Sequence, residues 1–333
     1  MNSDSLTIDE LIDKAEQLAE TGAINEAIEC WHSILRRKSD PILLCQFGRL
    51  ATKLGRWAEA EQAFLSAIEL APELPSPYEC LGLLCLERDD FELARDYFEK
   101  CVGIEENART FTLLGVVQSQ LGLMVAARGS FSKALEIDPD YEEACYNLAL
   151  TFRDTQSAKA ISLFEKALEL DPEYSAAHRE LGWSLRRLEQ FPEAVCQLRR
   201  AIELDDSDGW SYIYLGNTMW VTGELASAEQ AFKMGIEVWP DDSLPYWCLA
   251  MFYEYQGRAQ EAESLYQKSL QIDSDDPEAN LHFGLYLKEI GELAKAKAYL
   301  RRALSFDPHN EKARVILSEL ELPKTEDHPI EEL

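Results

Sequence analysis

Apolar residues recur three and four positions apart along most of this chain, in stretches of about 12 residues that short polar segments separate. Such spacing gathers the apolar side chains on one face of an α-helix. The stretches come in pairs, and a shift of 33 or 34 residues aligns the sequence with itself almost end to end. The pattern predicts an all-α chain of repeated amphipathic helix pairs.

The self-alignment divides residues 8–310 into nine repeats, preceded by a lead-in over residues 1–7. The repeats cover 8–40, 41–74, 75–107, 108–141, 142–174, 175–208, 209–242, 243–276 and 277–310. Thr7 and Glu10 have the spacing of a capping box for the first helix. After the last repeat, Asn310 is placed to N-cap a capping helix over 311–322, followed by a mobile acidic tail over 323–333.

Three columns of residues carry the repeat. The eighth position is always small, and it holds Ala15, Gly48, Gly82, Gly115, Ala149, Gly182, Gly216, Ala250 and Gly284. The column near the twentieth position is always alanine: Ala27, Ala60, Ala94, Ala127, Ala160, Ala194, Ala228, Ala262 and Ala296. Four residues later stand Trp31, Phe64, Phe98, Phe131, Phe164, Leu198, Phe232, Tyr266 and Leu300. Small residues permit close approach of the paired helices, and the large residue is expected to fill the gap to the neighbouring repeat.

A short turn separates the two helices of each repeat. Glycine occupies it in six repeats, where the missing Cβ permits the left-handed conformation that ends a helix. These glycines are Gly22, Gly55, Gly122, Gly223, Gly257 and Gly291. Asp89 and Glu189 replace glycine in two other repeats, and the fifth repeat has lost a residue around 154–157.

These columns resemble the tetratricopeptide repeat family, and the resemblance extends over residues 8–310. It implies antiparallel helix pairs stacked into a right-handed superhelical solenoid with a C-terminal capping helix. It also implies that the first helices line a concave groove while the second helices face outward. Proteins of this kind bind other proteins, so the resemblance favours an interaction scaffold.

Composition narrows the partners of such a scaffold. The 333 residues include 61 Asp+Glu and 32 Lys+Arg, for a net charge of −29, which excludes a general binder of nucleic acid or anionic membranes. The charge is uneven, since residues 1–141 carry −12, residues 142–200 carry −2 and residues 201–333 carry −15. The near-neutral middle is therefore the best place for an acidic ligand.

Signals for catalysis, cofactors and membranes are missing from the sequence. The five histidines form no His-Glu-x-x-His pair, and no glycine-rich phosphate loop occurs. The eight cysteines have no Cys-x-x-Cys spacing, so we expect reduced, buried thiols and neither a metal nor a cofactor. No apolar run approaches the ~20 residues that a bilayer requires, and the first residues lack a basic segment. We expect a cytoplasmic protein that is not an enzyme.

The resemblance also indicates groove residues, because family structures place the second, fifth, sixth, ninth, twelfth and thirteenth positions there. In repeats five to eight these positions are rich in aromatic and basic side chains. The candidate partner-binding residues are Tyr146, Asn147, Arg153, Arg179, Trp183, Arg186, Arg187, Trp210, Tyr214, Asn217, Trp220, Trp247, Met251 and Tyr255. Tryptophan, tyrosine and arginine are enriched at binding hot spots.

Two interpretations of this cluster remain open. Either it binds a partner segment or it packs neighbouring repeats, with solvated arginines. Leu181 and Leu185 already fill packing positions of the sixth repeat, which favours binding. The arginines would then attract an acidic or carboxylate-bearing ligand, and cation–π contacts with tryptophan would hold them. Asn147 and Asn217 would bond the backbone of the partner.

The sequence argues against the family's chaperone-tail clamp, which uses lysine at the fifth position and asparagine at the ninth. Arg179 is the one basic fifth-position residue, and Trp183 stands at its ninth position. The main prediction is a non-enzymatic scaffold that binds a protein segment along repeats five to eight. An alternative is an acidic surface that binds or shields a basic protein. A third possibility is self-association, in which the acidic tail docks into its own groove or that of a neighbour.

Overall fold

The structure is a computed structural model that describes residues 6–321. Over that range the chain forms nineteen α-helices and no strand. Within this range the chain divides into two compact units, one up to residue 172 and one from residue 173 onward. The first unit contains α1(Ile8–Glu20), α2(Ile24–Arg37), α3(Pro41–Lys53), α4(Trp57–Leu70), α5(Pro75–Leu86), α6(Phe91–Ile104), α7(Ala108–Gln120), α8(Met124–Ile137), α9(Glu142–Phe152) and α10(Ser157–Leu170).

The second unit continues the same alternation of helices. It contains α11(Ser175–Arg187), α12(Phe191–Leu204), α13(Gly209–Val221), α14(Leu225–Val238), α15(Leu244–Tyr255), α16(Ala259–Ile272), α17(Pro277–Glu289), α18(Leu293–Phe306) and α19(Glu311–Glu321). In both units each first helix packs most extensively on the second helix of its own pair. First helices of successive pairs also contact one another, as α11, α13, α15 and α17 do. The predicted all-α architecture of consecutive antiparallel pairs is confirmed.

Local sequence sets where many of these helices begin and end. The capping box of α1 is formed, because Thr7 and Glu10 accept hydrogen bonds from each other's backbone N–H groups. Asn310 accepts from the N–H of Ala313 at the start of α19. The six turn glycines all have positive φ, as predicted. Asp89 and Glu189 also adopt left-handed conformations, with φ of 57° and 60°, so two non-glycine residues maintain the same turn.

The repeat columns form the core of each pair. All nine column alanines have no exposed surface, and the nine large residues four positions later are at most 1% exposed. A Cβ built on Gly82 would lie 2.6 Å from Cε1 of Phe98. The aromatic ring therefore lies directly over the small residue of its own pair, which refines the expectation that it fills a gap between repeats.

Two expectations about individual residues differ from the structure. Cys196 is exposed and Cys30 is only partly buried, whereas the remaining six cysteines are buried as expected; all eight are free thiols. Cys196 is exposed because it shares the solvent-exposed face of α12 with Glu193, Arg199 and Arg200. The predicted tail over 323–333 lies outside the described residues.

Candidate functional site

Two arginines of α11 have opposite environments. The guanidinium of Arg179 forms ion pairs with Glu180 and Asp208, with N···O distances of 3.0 Å to each carboxylate. Both acids are nearly buried, at 5% and 8% side-chain exposure. Asp208 belongs to the turn before α13, so Arg179 ties α11 to the next pair. The expectation that Arg179 serves a ligand is not supported by this position.

Arg186 lies two turns further along α11 and has no acidic counterpart in the part of the chain that the structure describes. Its Nε is buried without a hydrogen-bond partner. Burial lowers the pKa of the guanidinium, and the nearby hydroxyl of Tyr214 counteracts this effect. A buried N–H donor without an acceptor is costly, and the rest of this guanidinium is only partly buried and has no carboxylate of the described residues beside it.

Tyr214, which interacts with this arginine, belongs to a series of aromatic contacts. The rings of Trp183 and Tyr214 are 6.4 Å apart, and Tyr214 is 5.6 Å from Trp210. Trp210 meets Trp239 edge-on at 6.1 Å. The guanidinium of Arg187 lies 4.9 Å from the centre of the Trp183 ring, so the expected cation–π contact is confirmed for that pair.

The aromatic surface continues onto α13 and α15. Trp220 packs edge-on against Phe252 at 5.6 Å and against Tyr255 at 5.3 Å. Tyr214, Trp220, Trp247 and Met251 are partly buried against the core, whereas Tyr255 is 67% exposed. The surface thus combines packing with exposed aromatic area, and its part in binding stays a prediction.

The two asparagines differ in how they are engaged. Asn147 donates its side-chain amide to the backbone oxygen of Glu143 in its own helix. Asn217 is half-buried on α13, and its side chain makes no hydrogen bond to any residue between 6 and 321. The side-chain amide of Asn217 is therefore available for further hydrogen bonds, whereas that of Asn147 is engaged within its own helix.

The remaining candidates belong to the first compact unit. Tyr146 contacts the ring of Phe164 at 5.8 Å, which is a packing contact within the fifth repeat. Arg153 follows α9 directly and lies 3.8 Å from the carboxylate of Asp154. The part these two residues and Asn147 play in binding stays a prediction.

A cavity of about 340 Å³ lies beside the aromatic surface, on α13, α15, α17 and α19. Its lining residues are Trp220, Met251, Glu254, Tyr255, His282, Leu285, Glu289 and Lys312. Five of these were not among the predicted site residues. Glu254, His282, Leu285 and Glu289 occupy twelfth, sixth, ninth and thirteenth positions, so the same positional rule identifies them once it is applied fully through the ninth repeat.

Two carboxyl groups, those of Glu254 and Glu289, line the cavity and influence each other. Burial raises the pKa of Glu254 and the neighbouring Glu289 raises it further, whereas the hydrogen bond from Tyr266 and the charge of Lys312 lower it. Glu254 also accepts a 2.7 Å hydrogen bond from the hydroxyl of the buried Tyr266, which anchors it. His282 stacks on Trp247 at 4.9 Å and lies 3.6 Å from Glu278.

The first compact unit has a separate cavity of about 420 Å³ on α3, α5 and α7. Arg49 donates there to the sulfur of Cys80 and the hydroxyl of Ser76. Arg109 is paired with Glu79. None of its lining residues is among the site residues predicted from the sequence, and it lacks the tryptophans of the second unit.

Neither a metal centre nor a membrane span is found among the described residues. Between residues 6 and 321, no three His, Cys, Asp or Glu side chains are grouped so that they could hold a metal ion. No helix in that range has the length and apolarity needed to cross a bilayer.

Comparison with known proteins places the helix pairs in a family context. Models of the tetratricopeptide repeat family match residues 45–109, 150–209 and 255–313, together more than half of the chain. No curated protein matches the sequence.

Solved structures are similar in fold at low sequence identity. A tetratricopeptide repeat protein from Parabacteroides merdae is 17% identical, with 74% of this chain and 98% of that chain covered and a TM-score of 0.65. A chain of the APC/C hetero-tetramer Cut9–Hcn1 is 17% identical, with 96% and 66% covered and a TM-score of 0.60. Yeast Tom70 is 15% identical, with 94% and 88% covered and a TM-score of 0.57.

Proposed function

Because this chain belongs to the tetratricopeptide repeat family, we propose that it is a protein-binding scaffold whose partner segment lies on the first helices of the second compact unit. The surface comprises residues of α11, α13 and α15. The proposed partner carries an acidic residue, which Arg186 binds, and apolar side chains, which the aromatic residues contact.

The proposal depends mainly on the environment of Arg186. An unpaired guanidinium in a partly buried position destabilises the free protein, since it gives up water without gaining a carboxylate. A carboxylate from a partner would supply a charge-assisted hydrogen bond, and such bonds are about twice as strong as neutral ones. Arg179, seven residues earlier, already has two carboxylates and is assigned a structural role.

The surroundings of Arg186 suit an extended or helical protein segment. Trp183 and Tyr214 provide rigid apolar area beside the charge, and these residue types dominate binding hot spots. The side-chain amide of Asn217 is available for a backbone group of the partner. Among structural relatives, Cut9 forms a hetero-tetramer with Hcn1, which agrees with a protein partner for this fold.

The test is an affinity purification from the source organism with wild-type protein and two variants, at low and high salt. Arg186→Met retains the length of the side chain but removes the charge, and Trp183→Ala removes the aromatic wall. Arg199→Met is the matched control, because Arg199 is an exposed arginine on the outward helix α12. We expect one partner to be lost with both groove variants and retained with the control.

Other outcomes assign the function elsewhere. A partner retained by both groove variants but removed by salt would favour the alternative, in which the surface of net charge −29 binds a basic protein. A partner lost equally with Arg199→Met would indicate a non-specific charge effect. The proposal includes that the protein is cytoplasmic and is not an enzyme. We therefore expect the purification to recover a protein partner and no small-molecule product.

A further inference from the structure

The cavity on α13, α15, α17 and α19 differs from the Arg186 region in its charge. It presents carboxyl groups from two helices, Glu254 of α15 and Glu289 of α17, within a volume of about 340 Å³. That volume suits one long side chain rather than a folded element. Both carboxyl groups border the cavity, so a group that enters it meets them directly.

The two carboxyl groups are held close at an electrostatic cost. The proximity of Glu289 raises the pKa of Glu254, the effect expected of like charges that repel one another. The hydroxyl of Tyr266 anchors Glu254 from the core side at 2.7 Å, so the repulsion is not relieved by rotation of that side chain away from α17. A cation placed between the carboxylates removes this repulsion.

The apolar walls of the cavity also suit a cation with a hydrocarbon stem. Trp220 and Tyr255 stand at 61° to each other with ring centres 5.3 Å apart, and the edge-on contact with Phe252 supports Trp220. Aromatic faces attract ammonium and guanidinium groups. Met251 and Leu285 supply apolar surface for methylene groups, the part of lysine and arginine that packs against apolar residues.

Two basic residues of the chain also border the cavity. His282 is stacked on Trp247 and lies 3.6 Å from Glu278, so its ring is already engaged within the protein. Lys312, an exposed residue of α19, partly compensates Glu254 through its charge, but it forms no ion pair within residues 6–321. Lys312 is therefore a weak internal competitor for any cation that enters.

We propose that this cavity is a subsite for a lysine or arginine side chain of the partner segment, an inference that rests on the proposed function of the adjoining surface. The partner would then carry an acidic residue at Arg186 and a basic residue between Glu254 and Glu289. The two subsites would fix the direction of the segment along the helices, because reversal would place like charges together.

Methionine methyl resonances give a direct test with the full chain. Met251 lines the cavity, whereas Met219 is buried in the core of the same unit and Met124 borders a different cavity in the first unit. The protein is labelled at the methionine methyl groups and titrated with Nα-acetyl-lysine amide or Nα-acetyl-arginine amide. Nα-acetyl-norleucine amide, which has a hydrocarbon chain without the amine, is the control probe.

We expect a saturable shift of the Met251 methyl signal with both cationic probes, at millimolar concentrations typical of such small fragments. The norleucine probe should leave the signal unchanged. Glu254→Gln combined with Glu289→Gln should abolish the shift, and Lys312→Ala should raise the affinity about two- to fivefold, the size expected of one exposed charge. Unchanged Met219 and Met124 signals show that the fold is retained.

The proposal is wrong if the norleucine probe shifts Met251 as strongly as the lysine probe, or if the shift persists in the double glutamine variant. If that variant does not fold, Glu289→Gln alone tests the proposal, because Glu289 is exposed. Its replacement by glutamine should weaken the shift severalfold. A negative result for this cavity does not change the outcome of the partner experiment with Arg186→Met and Trp183→Ala. The two proposals can therefore be refuted independently.

Discussion

Replacement of the two arginines of α11 by methionine should change stability in opposite directions. Methionine retains an unbranched apolar stem in each case and removes the charge. Arg179→Met leaves Glu180 and Asp208, at 5% and 8% exposure, without the guanidinium that bridges them. Arg186→Met removes a guanidinium whose Nε is buried and unpaired.

The expected magnitudes follow from these environments. Loss of one partner of a buried ion pair costs about 3–5 kcal/mol. Arg179 is 20% exposed and Asp208 retains its bonds to Ser211 and the N-terminus of α13, so we expect roughly 2–4 kcal/mol. An unsatisfied buried donor costs about 1–3 kcal/mol. Because only Nε of Arg186 is fully buried, we expect its replacement to stabilise the protein by about 1 kcal/mol.

Urea unfolding followed by tryptophan fluorescence measures both effects. With a slope of about 3 kcal/mol per molar urea, Arg186→Met should raise the midpoint by about 0.3 M and Arg179→Met should lower it by about 1 M. Equal slopes are required for this comparison, since a repeat array does not always unfold in one step.

One combination of results would refute the reasoning. If Arg186→Met destabilises the protein as much as Arg179→Met, then Arg186 has a structural role and the site loses its central residue. The decisive pattern is a gain in stability accompanied by a loss of partner binding, because only a residue retained for its ligand shows both.

Three further predictions concern the core, a turn and pH. Gly82→Ala should destabilise the protein by about 2 kcal/mol, since the new Cβ would lie 2.6 Å from Phe98. The Cβ of Gly103→Ala would meet nothing within 4 Å, so this variant should stabilise the protein by up to about 1 kcal/mol. Chemical denaturation distinguishes the two effects. Glu189→Gly should raise the melting temperature, because it relieves a non-glycine residue at φ 60°, and an unchanged value would mean that the turn is unstrained. Glu254 has a raised pKa in the folded protein, so its contribution to stability falls as pH rises from about 4.5 through the pKa of the folded state. The melting temperature of Glu254→Gln should therefore rise relative to that of the wild type between pH 4 and 7. A difference in melting temperature that stays constant over this range would contradict the prediction.

The helix pairs and much of their packing follow from local sequence. The 33- or 34-residue period, the turn glycines and the Thr7–Glu10 capping box were sufficient to predict the all-α architecture. This works because helix periodicity, left-handed turns and caps depend on residues only a few positions apart. Even where Asp89 and Glu189 replace glycine, the packed helices on both sides impose the same turn.

Tertiary structure decided which charged side chains of the candidate site meet and which stay unpaired. Arg179 and Arg186 belong to the same stripe of α11, yet the turn before α13 brings Asp208 to the first and nothing comparable to the second. Glu254 and Glu289 are 35 positions apart and meet only because α15 packs on α17. The repeat period predicts which positions share a surface, but the balance between ion pairing and desolvation depends on which side chains meet across neighbouring helices.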